Sequence, residues 1–496
     1  MTAPRKTPPK PAATAAPDLA APDLAWKREN GWPRLPAAEK GPLEAYCRDY
    51  LEFLTAAKTE REAHDRALDL ARQAGFRDLD ALPEKAGVLR PGAKVYRSCR
   101  GKTLMLAVIG RRPLEEGLHL VGGHTDAPRL DVKPTPLYED GGMALLDTHY
   151  YGGIKKYQWV ALPLAIHGVV VRQDGSTVPV VIGERADEPV FVITDLLPHL
   201  GAEQAKLTMA EGIKGEGLNL LVGSVPVADE KVKDRIKARL LEQLRDTYGL
   251  ADADFASAEL EIVPAGPARE GGLDRSLLVG YGHDDRICAY AALRALLDLE
   301  RTPEHTAGVL LCDKEEIGSV GATGMDSVFF ENTVAGLLLR APATGDLDWR
   351  RRRGLERSRM ISADVAALHD PNYPDVSSPN NMALLNAGVV VAKYGGARGK
   401  SHSSEASAEF MAEIRRIFGE QGVLWQPGEL GKVDAGGGGT IAMFLARYGM
   451  DVVDAGVGLL SMHAPWEVAG KLDAYMAYKG YRAFLADARR RRTPRG

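Results

Sequence analysis

The sequence predicts an α/β protein with a central mixed sheet flanked by helices and an inserted, strand-rich second domain. Three observations predict it. The runs TLMLAVIG, GLHLVGG and AGVLLC are nearly continuously apolar, as strands covered on both faces are. They alternate with stretches of helical period such as CAYAALRALLDLE and SEASAEFMAEIRRIFG. Between about Val132 and Pro267 this rhythm gives way to a segment dominated by strands.

Taken in order, the first 25 residues, MTAPRKTPPKPAATAAPDLAAPDLA, are rich in Pro and Ala. They lack the apolar core of a secretory signal and are expected to be a disordered tail. A helix is expected from Pro42, where Leu43, Tyr46, Leu51 and Leu54 recur every three to four residues, on to a C-cap at Gly75. KVYRSC, TLMLAVIG and GLHLVGG follow as strands. Residues 26–131 and 268–496 are expected to form one discontinuous α/β domain. Residues 132–267 interrupt it, with strands QWVALPLAIHGVVVRQ, TVPVVIG and EPVFVIT, a helix in ADEKVKDRIKARLLEQLRDTYG and a strand AELEIVPAG.

Composition narrows the function classes. The chain has 496 residues, is 45% hydrophobic and carries a formal net charge of −4. That balance gives no electrostatic case for nucleic acid or an anionic membrane as the main partner. No apolar run reaches the roughly 18–20 residues of a membrane span. The four cysteines form no CxxC pair, so thiolate zinc sites and a disulfide framework are not expected and a cytoplasmic location is.

Five stretches carry chemistry. In GLHLVGGHTDAPRL, His124 and Asp126 lie just past an apolar strand, where Asp126 could fix the imidazole tautomer and free the other nitrogen for a metal. In GYGHDDRICAYAALRALL, Asp284 and Asp285 precede a helix; such carboxylates commonly answer the helix dipole, but one could also bridge two cations. LLCDKEEIGSVG places Glu315 and Glu316 at the mouth of a core strand. If that segment is extended, the two side chains point to opposite sides, one to a metal and one to an attacking water. Asp364 in MISADVAALHDPNY and His463 in VGLLSMHAPWEVAGKLD end further apolar stretches. Each alone has an ordinary structural explanation. Together they fall at strand ends, which in an open α/β sheet converge on one crevice. Two histidines and several carboxylates suit Zn²⁺, Co²⁺ or Mn²⁺ better than Ca²⁺.

Other features are blander. YGGARGKSHSS misses the phosphate-loop pattern by one residue, with Tyr394 where Gly is needed. The glycines of AGGGGT allow close backbone approach. Arg350–Arg353 and Arg489–Arg492 are basic runs of the kind found on solvated faces. His402 has no evident partner, and His149 and His167 are expected to be structural unless assembly brings one to a neighbour's site.

The ordered motifs HTDAPRL, GHDDRICAYAALRAL, DKEEIGSVGATG, SADVAALHDPNY and LSMHAPWE resemble those of the M18 metalloaminopeptidases, from about Trp26 to the C-terminus. THYYGGIKKYQW resembles the bacterial branch. The resemblance implies an aminopeptidase with two divalent cations per subunit, zinc above Co²⁺ or Mn²⁺. It implies His124 and Asp364 at one metal, Glu316 and His463 at the other, and Asp284 bridging both. Glu315 would be the general base, with Asp126 orienting His124. Relatives often have Asp-Asn where this chain has Asp284-Asp285, and the register of the following helix assigns the bridge to Asp284. Asp434, in KVDAGGGGT, is the candidate acceptor for the substrate ammonium. The resemblance also implies peptide substrates with a free N-terminus and a homo-dodecamer in which the inserted domain builds dimer contacts. The alternatives are a catalytically silent scaffold on this fold, or a metal-dependent deacylase or carboxypeptidase. Lys393 and Arg398 are candidates for recognising an acidic first residue.

Overall fold

A computed structural model describes residues 26–342 and 345–489. The N-terminal tail and all but the first residue of Arg489–Arg492 lie outside the described residues. The helical period beginning near Pro42 resolves into two helices, Ala37–Ala56 and Glu60–Gln73. The break is local chemistry. Thr59 accepts a hydrogen bond from the Glu62 N–H, and the Glu62 carboxylate accepts one from the Thr59 N–H. This capping box starts a new helix more favourably than the old one continues, by about 1 kcal/mol.

The largest sheet among the described residues has nine strands. Its centre runs Thr103–Val108, Thr306–Cys312, Leu118–His124, Arg359–Ser362, Asp451–Gly456 and Val389–Ala392. The four strands from Thr306–Cys312 to Asp451–Gly456 are mutually parallel. Their alternate residues enter two cores. Val309 and Leu311 pack with the helices His283–Leu297 and Lys471–Ala486, through Leu293, Leu472 and Phe484. Leu310 and Cys312 pack on the other face with Phe330, Leu337 and Leu445. Burial on both faces is why these strands carry almost no polar residue until they end.

A second, six-stranded antiparallel sheet uses Arg129–Asp140, Met143–Tyr151, Leu164–Val171, Thr177–Ile182, Leu220–Gly223 and Ala258–Pro264. It has its own core around Trp159, Leu164, Leu220 and Ile262. Two details differ from the sequence reading. EPVFVIT forms only isolated bridges, Phe191 to Leu164 and Val192 to Leu221, because the chain crosses between two partners instead of running beside one. The helix expected from Ala228 starts at Arg235, where Glu139 accepts the N–H groups of Ile236 and Lys237. A third sheet of five short strands includes Leu277–Gly280, Gly458–Leu460 and Glu467–Gly470.

Candidate metal centre

Strand register builds the centre. Cys312 pairs with His124, Ser362 with Gly122, and Asp454 with Ser362. The parallel strands therefore end level, and the residues just past them, Asp313–Glu316 and Asp364, share one rim with His124. This is where open α/β sheets place their ligands. Gly123 makes the packing possible: a Cβ there would lie 2.4 Å from Asp285 Oδ2, the atom that accepts the His124 N–H at 3.2 Å.

Asp284 stands between two histidines. Its Oδ1 lies 3.2 Å from His124 Nε2 and its Oδ2 3.2 Å from His463 Nε2. Asp364 Oδ1 is 3.9 Å from His124 Nε2, and Glu316 Oε1 is 3.6 Å from His463 Nε2. Two groups thus have ligand atoms within 4.8 Å of one another: His124, Asp284 and Asp364, and Asp284, Glu316 and His463. They share Asp284 and not Asp285, which sits behind the centre and supports the His124 backbone.

The two glutamates are not in an extended segment. Lys314 has φ 69°, and Glu315–Ile317 is a single 3-10 turn. The expectation of opposite-facing side chains on an extended strand is therefore corrected. The turn still separates them, since Glu315 Oε2 is 4.0 Å from His124 Nε2 while Glu316 faces His463. The turn is held by Asp126. Its Oδ1 accepts the Glu315 N–H at 3.1 Å, and its Oδ2 accepts the Glu316 N–H at 3.2 Å. Toward His124, the nearest Asp126 atom is its backbone oxygen, 2.9 Å from Nδ1, with the carboxylate at 3.4 Å.

Sequence reasoning missed Glu467. It is buried, and its carboxylate accepts the Asp284 N–H at 3.1 Å and the His463 N–H at 2.8 Å. The one available signal was a charged residue inside the apolar stretch APWEVAG. Tyr151 was missed as well; its hydroxyl donates to Asp126 Oδ2 at 2.8 Å.

Electrostatically the centre wants cations. Burial opposes a charged His124 ring, but Asp126, Asp284 and Asp364 outweigh it and hold its pKa well above the ordinary value. Burial also works against charge on His463, yet Asp284 and Glu316 raise it to about 10. Burial, then Asp284, pushes Glu316 well above the carboxylate range. Burial, reinforced by Asp284 and Asp126 and opposed by His124, brings Glu315 to about 7. Burial raises Asp364 too, with Glu315 and Asp284 adding to it. So many buried carboxylates around two imidazoles fit bound divalent cations, and the mixed N/O donor set fits Zn²⁺.

The centre opens into a cleft of about 570 Å³, lined also by Arg398, Glu429, Lys432 and the backbone of Gly436–Gly439. Asp434 is exposed and does not line the cleft, so the ammonium-acceptor role expected of it lacks geometric support. Arg398 lines the cleft; Lys393 instead lies 3.8 Å from Glu405. His402 is exposed and outside the cleft, as is His149. His167 is buried between Glu62 and Glu184.

The family model for "Aminopeptidase I zinc metalloprotease (M18)" matches residues 53–485, which contain every residue of the centre. The chain belongs to the M18 family. It is therefore a metalloaminopeptidase, a peptide hydrolase acting on N-terminal residues. Among relatives, the "Probable M18 family aminopeptidase 1" of Clostridium acetobutylicum is 48% identical over 464 residues, covering 93% of this chain and 99% of that protein. A crystallised M18 aminopeptidase from Thermotoga maritima superposes with a TM-score of 0.87 at 43% identity, covering 93% of this chain and 99% of that one. More distantly, the mApe1 dodecamer of S. cerevisiae shares the fold with a TM-score of 0.70 at 22% identity.

Proposed function

We propose that this M18 aminopeptidase works with two divalent cations, zinc foremost, held by His124 and Asp364 on one side and Glu316 and His463 on the other. Asp284, common to both groups, would help hold each. The observation that carries this reading is the placement of the two Asp284 oxygens, each 3.2 Å from the Nε2 of a different histidine. Cations bound there would polarise the scissile carbonyl and acidify the attacking water.

The chain's own groups do the rest. Glu315, 4.0 Å from His124 Nε2 and outside both ligand groups, is placed to take the water's proton and return it to the leaving amine. Asp126 holds the Glu315 and Glu316 backbone so that one carboxylate stays free while the other ligates. Glu467 ties the Asp284 and His463 backbones together across the centre. The open cleft gives a peptide end access to the centre.

The substrates are peptides with a free N-terminus. The described residues include no helix long and apolar enough to cross a membrane, and composition favours the cytoplasm. The six-stranded unit, residues 132–267, is read as the assembly domain of a homo-oligomer. Support comes from its exposed apolar side chains, including Leu197, Leu200 and Met209, and from the dodecameric fold relative. The test is a panel of aminoacyl chromogenic substrates, each with a free and a blocked N-terminus, against metal-loaded protein. Cleavage of free forms only is expected. Cleavage of blocked forms would favour a deacylase, and inactivity with Zn²⁺, Co²⁺ and Mn²⁺ would remove the enzymatic reading.

A further inference from the structure

The strand Met143–Tyr151 belongs to the six-stranded sheet, yet the three residues at its end reach the metal centre. Tyr151 donates its hydroxyl hydrogen bond to Asp126 Oδ2 at 2.8 Å, on the carboxylate that fixes the Glu315–Glu316 turn. Gly152 sits against Glu316. A Cβ there would lie 3.3 Å from both Cβ and Oε2 of Glu316, and its φ of +72° favours glycine. The Gly153 carbonyl oxygen lies 2.8 Å from His463 Nδ1, the ring nitrogen opposite the one facing Asp284.

The Gly152 and Gly153 contacts fall on the Glu316–His463 side, while Tyr151 reaches Asp126, which holds the N–H groups of both glutamates and also lies 3.4 Å from His124 Nδ1. Among the described residues, no hydrogen bond joins this segment to Asp284, Asp364 or the His124 ring. The segment is also anchored at its root. The Tyr151 ring lies under the Arg129 guanidinium, 3.8 Å from carbon to ring centroid. Arg129 is buried, with Nε 2.9 Å from Asp131 and 3.1 Å from Glu261, and Nη1 3.5 Å from Glu60 on the second helix. The segment thus connects the seating of the six-stranded unit to one half of the centre. A hydrogen bond to the distal nitrogen of a ligating histidine fixes its tautomer and ring orientation, and losing such support typically costs about 10- to 100-fold in metal affinity.

We propose that Tyr151, Gly152 and Gly153 form a positioning strap for the Glu316–His463 site, so that the affinity of the second cation depends more than that of the first on how the six-stranded unit is seated. This rests on the two-cation reading above. It makes Tyr151 a positioning residue that acts through Asp126 and the Glu315–Glu316 turn.

The test is calorimetric titration of metal-free full-length protein with Zn²⁺, comparing wild type, Tyr151→Phe and Gly152→Ala, with bound metal counted by elemental analysis. Phe keeps the ring on Arg129 and removes only the hydroxyl and its hydrogen bond to Asp126, so the metal-free variant should still unfold cooperatively, at a modestly lower midpoint. Two binding events are expected in wild type. In Gly152→Ala one event should be unchanged and the other weakened by about 10- to 100-fold, and in Tyr151→Phe the same event should weaken more than the other, with turnover recovering at high Zn²⁺. Two undisturbed events in both variants, or equal weakening of both, would overturn the strap while leaving the two-cation reading intact. A single event in wild type would overturn the two-cation reading and the strap with it.

Discussion

Glu315 and Glu316 are neighbours in the chain but serve different histidines: Oε2 of Glu315 lies 4.0 Å from His124 Nε2, and Oε1 of Glu316 lies 3.6 Å from His463 Nε2. Both belong to a 3-10 turn whose N–H groups are held by Asp126. The division of labour therefore rests on one clamped turn. Glu315→Gln is expected to keep both cations and lose roughly 10²- to 10⁴-fold in kcat. Glu316→Gln should lose affinity at one site, with activity partly restored by excess metal. Metal content and kcat on both variants decide it; metal loss in Glu315→Gln with activity retained at saturating metal would reverse the two roles.

Metal affinity should rise with pH. In the metal-free protein His463 titrates at about 10, and His124, Glu316 and Asp364 all hold protons well above their ordinary range. A cation must displace those protons, because its ligands bind deprotonated. Raised pKa values mean that more protons must leave at lower pH, so affinity falls as pH falls. Between pH 6 and 8 it should gain about tenfold per unit for each proton released. Calorimetry in buffers of different ionisation heat counts those protons, and a pH-independent affinity would contradict the electrostatics described.

Glu467 supports the centre through backbone alone. Glu467→Leu would leave the Asp284 and His463 N–H groups without their acceptor inside a buried site. A loss of about 1–3 kcal/mol in unfolding free energy is expected for each orphaned donor, together with weaker metal binding. Urea denaturation of metal-free and metal-loaded protein separates the two effects.

Most of the centre was legible because His124, Glu315, Glu316, Asp364 and His463 are polar groups at the ends of apolar runs, where a strand has no other reason to place them. Asp284 was legible from the helix that follows it. Glu467 and Tyr151 were not: Glu467 links nearby His463 to Asp284, 183 residues away, Tyr151 reaches Asp126, 25 residues away, and their own sequence neighbourhoods are those of ordinary strands. Asp434 was singled out by the glycine run beside it, and it is the glycines Gly436–Gly439 of that run that line the cleft. The long first helix was misjudged because hydrophobic period continues across Ala57–Thr59, while the capping box that interrupts it is a hydrogen-bond feature.

The ion cluster behind the strap has its own consequence. Arg129 lies between the buried carboxylates Glu60 and Glu261, of which Glu261 keeps its proton mainly through burial. Arg129→Met should destabilise the fold by about 3–5 kcal/mol at pH 7. Without the guanidinium Glu261 would lose its cationic partner, whereas Glu60 keeps Lys102 Nζ at 2.9 Å, so the raised Glu261 carboxyl would make the folded state bind more protons than the unfolded one. Stability would then drop as pH rises above the ordinary carboxylate range near 4.3. Denaturation midpoints should differ less between wild type and variant at pH 5 than at pH 8; an equal gap would argue against the shared-proton pair.

The central claim is that Asp284 is shared by two cations. Anomalous diffraction from Zn²⁺-loaded crystals tests it most directly. Two peaks per chain are predicted, each about 2.0–2.2 Å from a different oxygen of Asp284, one beside His124 and Asp364 and one beside His463 and Glu316. A single peak, or two peaks of which one does not touch Asp284, would contradict it.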